Sequence, residues 1–404
     1  MDLEALYRDL HSHPELAFAE LRTAGIVADH LTGFGLEVVT GIGGTGVVGI
    51  LRNGDGPTVL LRADMDALPV REETGLEWAS TQTVVDETGA TVPVMHACGH
   101  DIHITCLLGA VEALADSRSE WSGTLVALFQ PAEEHGGGAQ VMVEDGLYEK
   151  VPTPDVVLGQ HVTPLPSGML GAHSGAAMAA VDTMEVTLHG RGGHGSRPET
   201  TIDPVVMAAA TVLRLQTVVS REIAPQDTAV VTVGSLHAGS ANNIIAPKAT
   251  LGISMRSFSE EVRERVLGAV DRIVRAEAAA SGAVEEPTVK FGERYPVTVN
   301  EPEATARVTA AFTSEFGEDR IFDPGAISGS EDVGNLATAA GVPLVYWMLG
   351  GGDPATVAAA MAAGTVDTDI PSNHSPYFAP LAQPTIDTGV RALVVAAREW
   401  LTEH

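Results

Sequence analysis

Leu125-Val126-Ala127-Leu128-Phe129-Gln130-Pro131-Ala132-Glu133-Glu134 is the stretch on which the fold turns. Five apolar residues in a row are short for a buried helix and suit a strand covered on both faces. Proline then ends the strand, and two adjacent carboxylates follow at once. The same construction recurs along the chain. Residues 59–62 lead to Asp64-Met65-Asp66, and residues 156–158 lead to His161. Further apolar runs at 47–51 and 344–349 alternate with segments of helical spacing such as 20–31 and 102–114. Alternating strands and helices predict an α/β fold with a mixed, mostly parallel sheet flanked by helices. In such sheets ligands bind beyond the carboxyl ends of the strands, which is where the polar motifs fall.

Residues 182–292 read differently. A strand at 182–188, a helix at 202–219, strands at 229–235 and 250–255, a helix at 260–280 and a strand at 288–291 give β-α-β-β-α-β, the split βαβ pattern of a small α+β domain. Because His374 lies beyond it, this block is expected to interrupt a larger domain. The expected division is a metal-binding catalytic domain at 1–180 and 293–404, with an inserted domain at 181–292.

The chemistry starts at Met95-His96-Ala97-Cys98-Gly99-His100-Asp101, where a thiol and an imidazole stand two residues apart. Both bind soft-to-borderline divalent metals, and the spacing lets both reach one ion. With Glu133-Glu134, His161 and Asn373-His374-Ser375-Pro376 the chain offers a thiolate, three imidazoles and two carboxylates. That is enough for two cations and a general base. In a carboxylate pair one member can fix a metal while its neighbour takes a proton from water, which assigns Glu134 as ligand and Glu133 as base. Cys98 also admits a different reading, a covalent nucleophile with His100 as its base. The short spacing argues against it, and it leaves Glu133, Glu134, His161 and His374 without a role.

Gly192-Gly193-His194-Gly195-Ser196 opens a loop in the inserted block, and its imidazole can donate to a developing oxyanion. Asn243 and Arg256 can clamp a substrate carboxylate. His96 and His103 are expected to support the ligands from behind. His11, His13, His30, His135, His173, His189, His237 and His404 receive no functional role. Cys106 lies in the apolar pattern of helix 102–114 and reads as a small buried hydrophobe.

Composition narrows the function classes. Lys and Arg number 23 against 53 Asp and Glu, a formal net charge of −30, which repels nucleic acid and anionic membranes. No apolar run reaches the ~18 residues a membrane span needs. Met1-Asp2-Leu3-Glu4 lacks the basic start of a signal peptide, and two cysteines make no disulfide framework, so a cytoplasmic protein is expected. Gly41-Ile42-Gly43-Gly44-Thr45-Gly46 matches a dinucleotide-binding glycine pattern. That pattern must open a helix, whereas residues 47–51 continue as a strand, so it is rejected.

Taken in order, these motifs resemble the M20 metallopeptidase family, in its amidohydrolase branch of hippurate hydrolases, N-acyl-amino-acid amidohydrolases and auxin-conjugate hydrolases. The resemblance runs through His13-Pro14-Glu15, residues 62–69, 96–101 and 130–134, 193–198, Ser330-Glu331-Asp332 and 374–378. It implies a di-metal exopeptidase-like fold. Two divalent cations, of manganese, zinc, cobalt or nickel, would be held by Cys98, His100, Glu134, His161 and His374, with Cys98 bridging and Glu133 as base. Asp66 and Asp101 would support those ligands. The inserted domain would be a lid and a homodimer contact carrying His194. The implied reaction is hydrolysis of the amide bond of N-acyl-amino acids or similar small conjugates by a metal-activated water. An exopeptidase or dipeptidase of the same type, or a non-enzymatic binding relative, stands as the alternative. Gln160, Glu199, Ala246 and Val333 depart from the branch pattern at positions expected to touch the pocket or the ligands' surroundings.

Overall fold

In the computed structural model, which describes residues 1–85 and 89–402, four of the apolar runs lie side by side as parallel strands. Their order is Gly123–Gln130, Thr58–Asp64, Val156–Pro166 and Leu344–Gly352. Gly46–Asn53 and then Glu37–Ile42 extend the sheet antiparallel on one side, and Leu170–Gly171 with Ile321–Phe322 finish the other, eight strands in all. The glycine-rich decoy is the turn between Glu37–Ile42 and Gly46–Asn53, a hairpin rather than a nucleotide cradle.

The central strands are buried on both faces, as their unbroken apolar runs require. Leu125, Ala127 and Phe129 pack with the helices His100–Asp116, Ala382–Leu401 and Pro302–Phe316. Val126 and Leu128, which point the other way, are fully buried too. The helix Leu3–Ser12 escaped the sequence reading. Its start is capped by Asp2, whose carboxylate accepts the Ala5 N–H at 3.0 Å.

The chain divides into two units. The first takes Met1–Ala177, Val299–Ala326 and Asp332–His404. The second takes Met178–Thr298 and Ile327–Glu331. Within the second, an antiparallel sheet orders its strands Ala229–Ala238, Lys248–Ser257, Ala180–His189 and Thr288–Tyr295. The helices Pro204–Glu222 and Glu260–Ala280 pack together and supply, with Val186, Leu188, Leu251 and Ile253, a separate core. The β-α-β-β-α-β order is the one its hydrophobic periodicity predicts. Among the described residues no helix is long and apolar enough to cross a membrane. His404 lies outside the described residues.

Candidate functional site

The site of the first unit is assembled at the carboxyl edge of the parallel strands. Thr58–Asp64 delivers Asp64 and Asp66, and Gly123–Gln130 runs into a single turn, Glu133–His135, that carries both carboxylates. His161 sits inside the strand Val156–Pro166, opposite Met348, and not after a strand's end, because the strand runs farther than residues 156–158 suggest. Gly99, in the left-handed region, reverses the chain so that the helix His100–Asp116 begins directly behind Cys98. His374 arrives from far along the chain. It has φ +71°, and its N–H donates to the Ala97 carbonyl at 2.8 Å, which docks its segment beside Cys98. Asn373 adds bonds to the carbonyls of Cys98 (3.3 Å) and Val162 (3.1 Å).

Two groups of ligand atoms result, and they share the thiol. Cys98 Sγ and ring nitrogens of His100 and His161 lie within 4.8 Å of one another, as do Cys98 Sγ, a Glu134 oxygen and a His374 nitrogen. Cys98 Sγ is 3.5 Å from His161 Nε2, and His374 Nε2 is 3.2 Å from Glu134 Oε2. A Glu133 oxygen lies within 4.8 Å of ligand atoms of both His100 and Glu134. Nε2 of buried His100 and the Oε1 of Glu134 have no hydrogen-bond partner. Buried polar atoms of this kind are satisfied when a cation takes their lone pairs, so the donor set fits divalent metal.

Burial and the surrounding carboxylates disfavour a free thiolate. Burial, then Glu134 and Glu133, push the Cys98 thiol well above its ordinary range, the reverse of what a nucleophilic cysteine needs. Burial opposes charge on His100, but Asp64, Asp66 and Glu134 outweigh it and raise the imidazole to about 10. Burial, reinforced by His103, holds His161 well below its ordinary value and therefore neutral. Its Nδ1–H donates to the Val162 carbonyl at 2.8 Å, which leaves the Nε2 lone pair facing Cys98.

The neighbours explain which candidates are available to a ligand. His103 lies three residues beyond His100 on the same helix, yet both its nitrogens are taken. Its Nε2 accepts the Val162 N–H at 2.7 Å, so its Nδ1–H donates to Asp64 at 2.5 Å. Asp64 also pairs with Arg62 at 2.6 Å. Burial works against its charge, but Arg62, then His100 and His103, hold its carboxyl well below the usual range. Arg62 is itself buried, bonded to Gln130 (2.8 Å) and Asp332 (3.3 Å). Asp66 accepts the backbone N–H of Glu133 and of Glu134, each at 3.0 Å, and stands 3.3 Å from His100 Nδ1.

Asp101 turns elsewhere. It accepts its neighbour Ile102's N–H at 2.9 Å and meets His11 Nδ1 at 2.6 Å. His11, given no role from sequence, is fully buried, with its Nε2 3.0 Å from Glu72. His96 is buried with neither nitrogen hydrogen-bonded, and burial lowers it to about 4. Gln160, which precedes His161, is buried between the Gly389 carbonyl (3.3 Å) and the Trp347 indole N–H (3.1 Å). Val333 is likewise wholly buried. No local pattern could have found these pairings, because their partners lie tens to hundreds of residues away.

Within the second unit, His194 lies opposite Ile244, and the Gly195 N–H donates to the Asn243 carbonyl at 2.8 Å, so the loops of His194 and Asn243 meet. The Ser196 N–H donates to His194 Nδ1 at 3.1 Å. A backbone N–H can only donate, so the imidazole's proton is on Nε2, exposed and able to donate outward. Arg256, on the strand Lys248–Ser257, bonds the Ser328 carbonyl and the Ser330 hydroxyl (3.3 Å). Glu199 and Ala246 lie in this unit, Glu199 exposed and within 3.3 Å of Arg197, Ala246 buried.

Comparison with known proteins places the chain among hydrolases. The model of the peptidase family M20/M25/M40 matches residues 60–382. A hippurate hydrolase of Campylobacter jejuni is 40% identical over 82% of this chain and 84% of its own length. Thermostable carboxypeptidase 2 of Saccharolobus solfataricus is 38% identical over 85% of this chain and 84% of its own. Among solved structures, a dinuclear metal-binding M20 peptidase of Bacillus subtilis superposes with a TM-score of 0.77 at 28% identity. That match covers 99% of this chain and 97% of the other.

Proposed function

We propose that this chain, which belongs to peptidase family M20/M25/M40, hydrolyses the amide bond of N-acyl-amino acids or similar small conjugates. It is a metal-dependent hydrolase of amide bonds, and its relatives include a hippurate hydrolase and an N-acetyl-L-cysteine deacetylase. The observation that carries the proposal is the pair of ligand groups sharing Cys98, with a further carboxylate, Glu133, beside them.

Cys98, His100 and His161 would hold one divalent cation, and Cys98, Glu134 and His374 a second. Cations bound there supply Lewis acidity, which activates water and polarises the amide carbonyl at neutral pH. Thiolate and imidazole donors suit zinc, cobalt or nickel, while the family resemblance adds manganese. Glu133 accepts the proton of the attacking water and returns it to the leaving amine. His194, with its proton on Nε2, donates to the oxyanion, and Asn243 with Arg256 orients the substrate carboxylate. Asp66 keeps the two carboxylates in place through their backbone N–H groups. Asp101 steadies the first turn of the ligand-bearing helix.

The second unit is proposed as a lid and as the contact of a homodimer. Its helix Pro204–Glu222 exposes Val206 and Leu213, and Val230 and Leu236 are exposed on the edge strand Ala229–Ala238. Two unpaired cysteines fit a cytoplasmic enzyme.

The test is turnover of N-acetyl, N-benzoyl and longer N-acyl amino acids, with dipeptides alongside, by protein loaded with each metal in turn. Chelation should abolish hydrolysis, and E133Q should lower kcat by about 10²- to 10⁴-fold with metal content unchanged. Unimpaired E133Q with both cations bound would remove the base assignment. Preference for dipeptides would favour the exopeptidase reading, which the 38% identical carboxypeptidase keeps open.

A further inference from the structure

Three non-glycine residues among those described have a left-handed backbone: Phe18 (φ +60°), Ala132 (φ +50°) and His374 (φ +71°). Such residues persist only where their surroundings over-determine them. One side chain holds two of the three. Oε1 of Glu20 accepts the N–H of Phe18 and the N–H of Ala132, each at 2.9 Å. Its Oε2 accepts the hydroxyl of Thr45, in the glycine-rich hairpin turn. Glu20 is fully buried, and burial raises its pKa. It therefore occupies a position that an unneeded carboxylate would leave for water.

Ala132 is the hinge of the site. The strand Gly123–Gln130 would carry its successors straight on. The left-handed turn at 132 instead sends Glu133 and Glu134 sideways toward His100. The next two N–H groups, of Glu133 and Glu134, go to Asp66. Three consecutive amides are thus gripped by two buried carboxylates.

We propose that Glu20 is a positioning residue for the Glu133–Glu134 pair, its reach to the Ala132 N–H setting where base and ligand stand. The consequence for catalysis rests on the roles proposed above for Glu133 and Glu134, whereas the grip on the turn does not. Two substitutions separate reach from charge. E20D keeps the charge but is one methylene too short to bond Ala132 and Phe18 together. E20Q loses the charge but keeps an oxygen for both N–H groups, while its NH₂ can donate to Thr45.

The measurement is amide hydrogen exchange of the segment 130–138 by mass spectrometry, with kcat and KM on an N-acyl amino acid. E20D should speed exchange at residues 132–134 by at least tenfold and lower kcat by roughly 10- to 100-fold, as a displacement near 1 Å does, with KM little changed. E20Q should stay within about threefold of the parent in both, within the ordinary scatter of an isosteric swap. Wild-type exchange and kcat in E20D overturn the proposal, and so does an E20Q protein that unfolds or is damaged as much as E20D. If the parent turns over no N-acyl amino acid, the reaction assigned above fails. The exchange comparison then still decides for or against the grip.

Discussion

Replacing Gly99 by alanine tests how tightly the first ligand group is built. Gly99 lies between Cys98 and His100 at φ +80°, ψ 23°. A Cβ there would stand 2.3 Å from Val162 Cγ1 and 3.4 Å from Phe378 Cε1. The left-handed backbone costs an alanine about 1–2 kcal/mol, and pushing Val162 aside by roughly an ångström costs about 1–3 kcal/mol more as overpacking. Together about 2–5 kcal/mol is lost, a large part of the ~5–15 kcal/mol of a typical fold. Val162 cannot move alone, since its N–H bonds His103 and its carbonyl bonds His161 and Asn373. Cation affinity should therefore fall by about 10- to 100-fold, as it does when the groups behind a metal ligand are disturbed. All four tryptophans, Trp78, Trp121, Trp347 and Trp400, lie in the first unit, so urea denaturation followed by fluorescence reports on this unit alone. V162A removes the clash. G99A/V162A should then be less destabilised than the sum of the single variants by the overpacking part, about 1–3 kcal/mol. Strict additivity, or G99A within about 0.5 kcal/mol of the parent, would falsify this account of the turn.

Two further outcomes are expected. Burial pulls the pKa of His11 down, but its bonds to Asp101 and Glu72 outweigh burial and raise it from 6.5 to about 10. The folded value lies above the unfolded one. The bridge therefore stabilises fully below about pH 6.5 and is lost as pH rises through about 10. The stability difference between the parent and H11N, on the order of a few kcal/mol at pH 6, should shrink steadily toward pH 10. A difference independent of pH would mean the imidazole is not charged. With a net charge of −30, self-repulsion across the surface should be relieved as the Debye length falls from about 10 Å at 0.1 M to about 3 Å at 1 M salt. The melting temperature should rise over that range of KCl, and a flat or falling curve would show that the charges are already offset locally.

Much of this protein could be read from local pattern. Continuous apolar runs marked the strands because a sheet covered on both faces needs them. A change of period marked the β-α-β-β-α-β block. The residue types after the strands pointed to metal because thiol, imidazole and carboxylate are ligands wherever they converge. Glu133, Glu134, Cys98, His100, His161 and His374 were nameable for that reason.

Tertiary structure alone decided which of several equivalent groups is available. Asp64 and Asp66 stand two residues apart in sequence, yet Arg62 and His103 consume the first while the second grips the amides of Glu133 and Glu134. His100 and His103 share a helix turn, and only His103 has both nitrogens occupied by protein. His11 carried no functional role in the sequence reading and is a buried bridge. Gln160, expected to touch the pocket or the ligands' surroundings, lies in the core beside His161. Glu20 bonds an amide 112 residues away. A side chain's type follows from sequence, but its charge, tautomer and free lone pair are set by whichever groups surround it once water is gone. Those groups are neighbours in space and strangers in the chain.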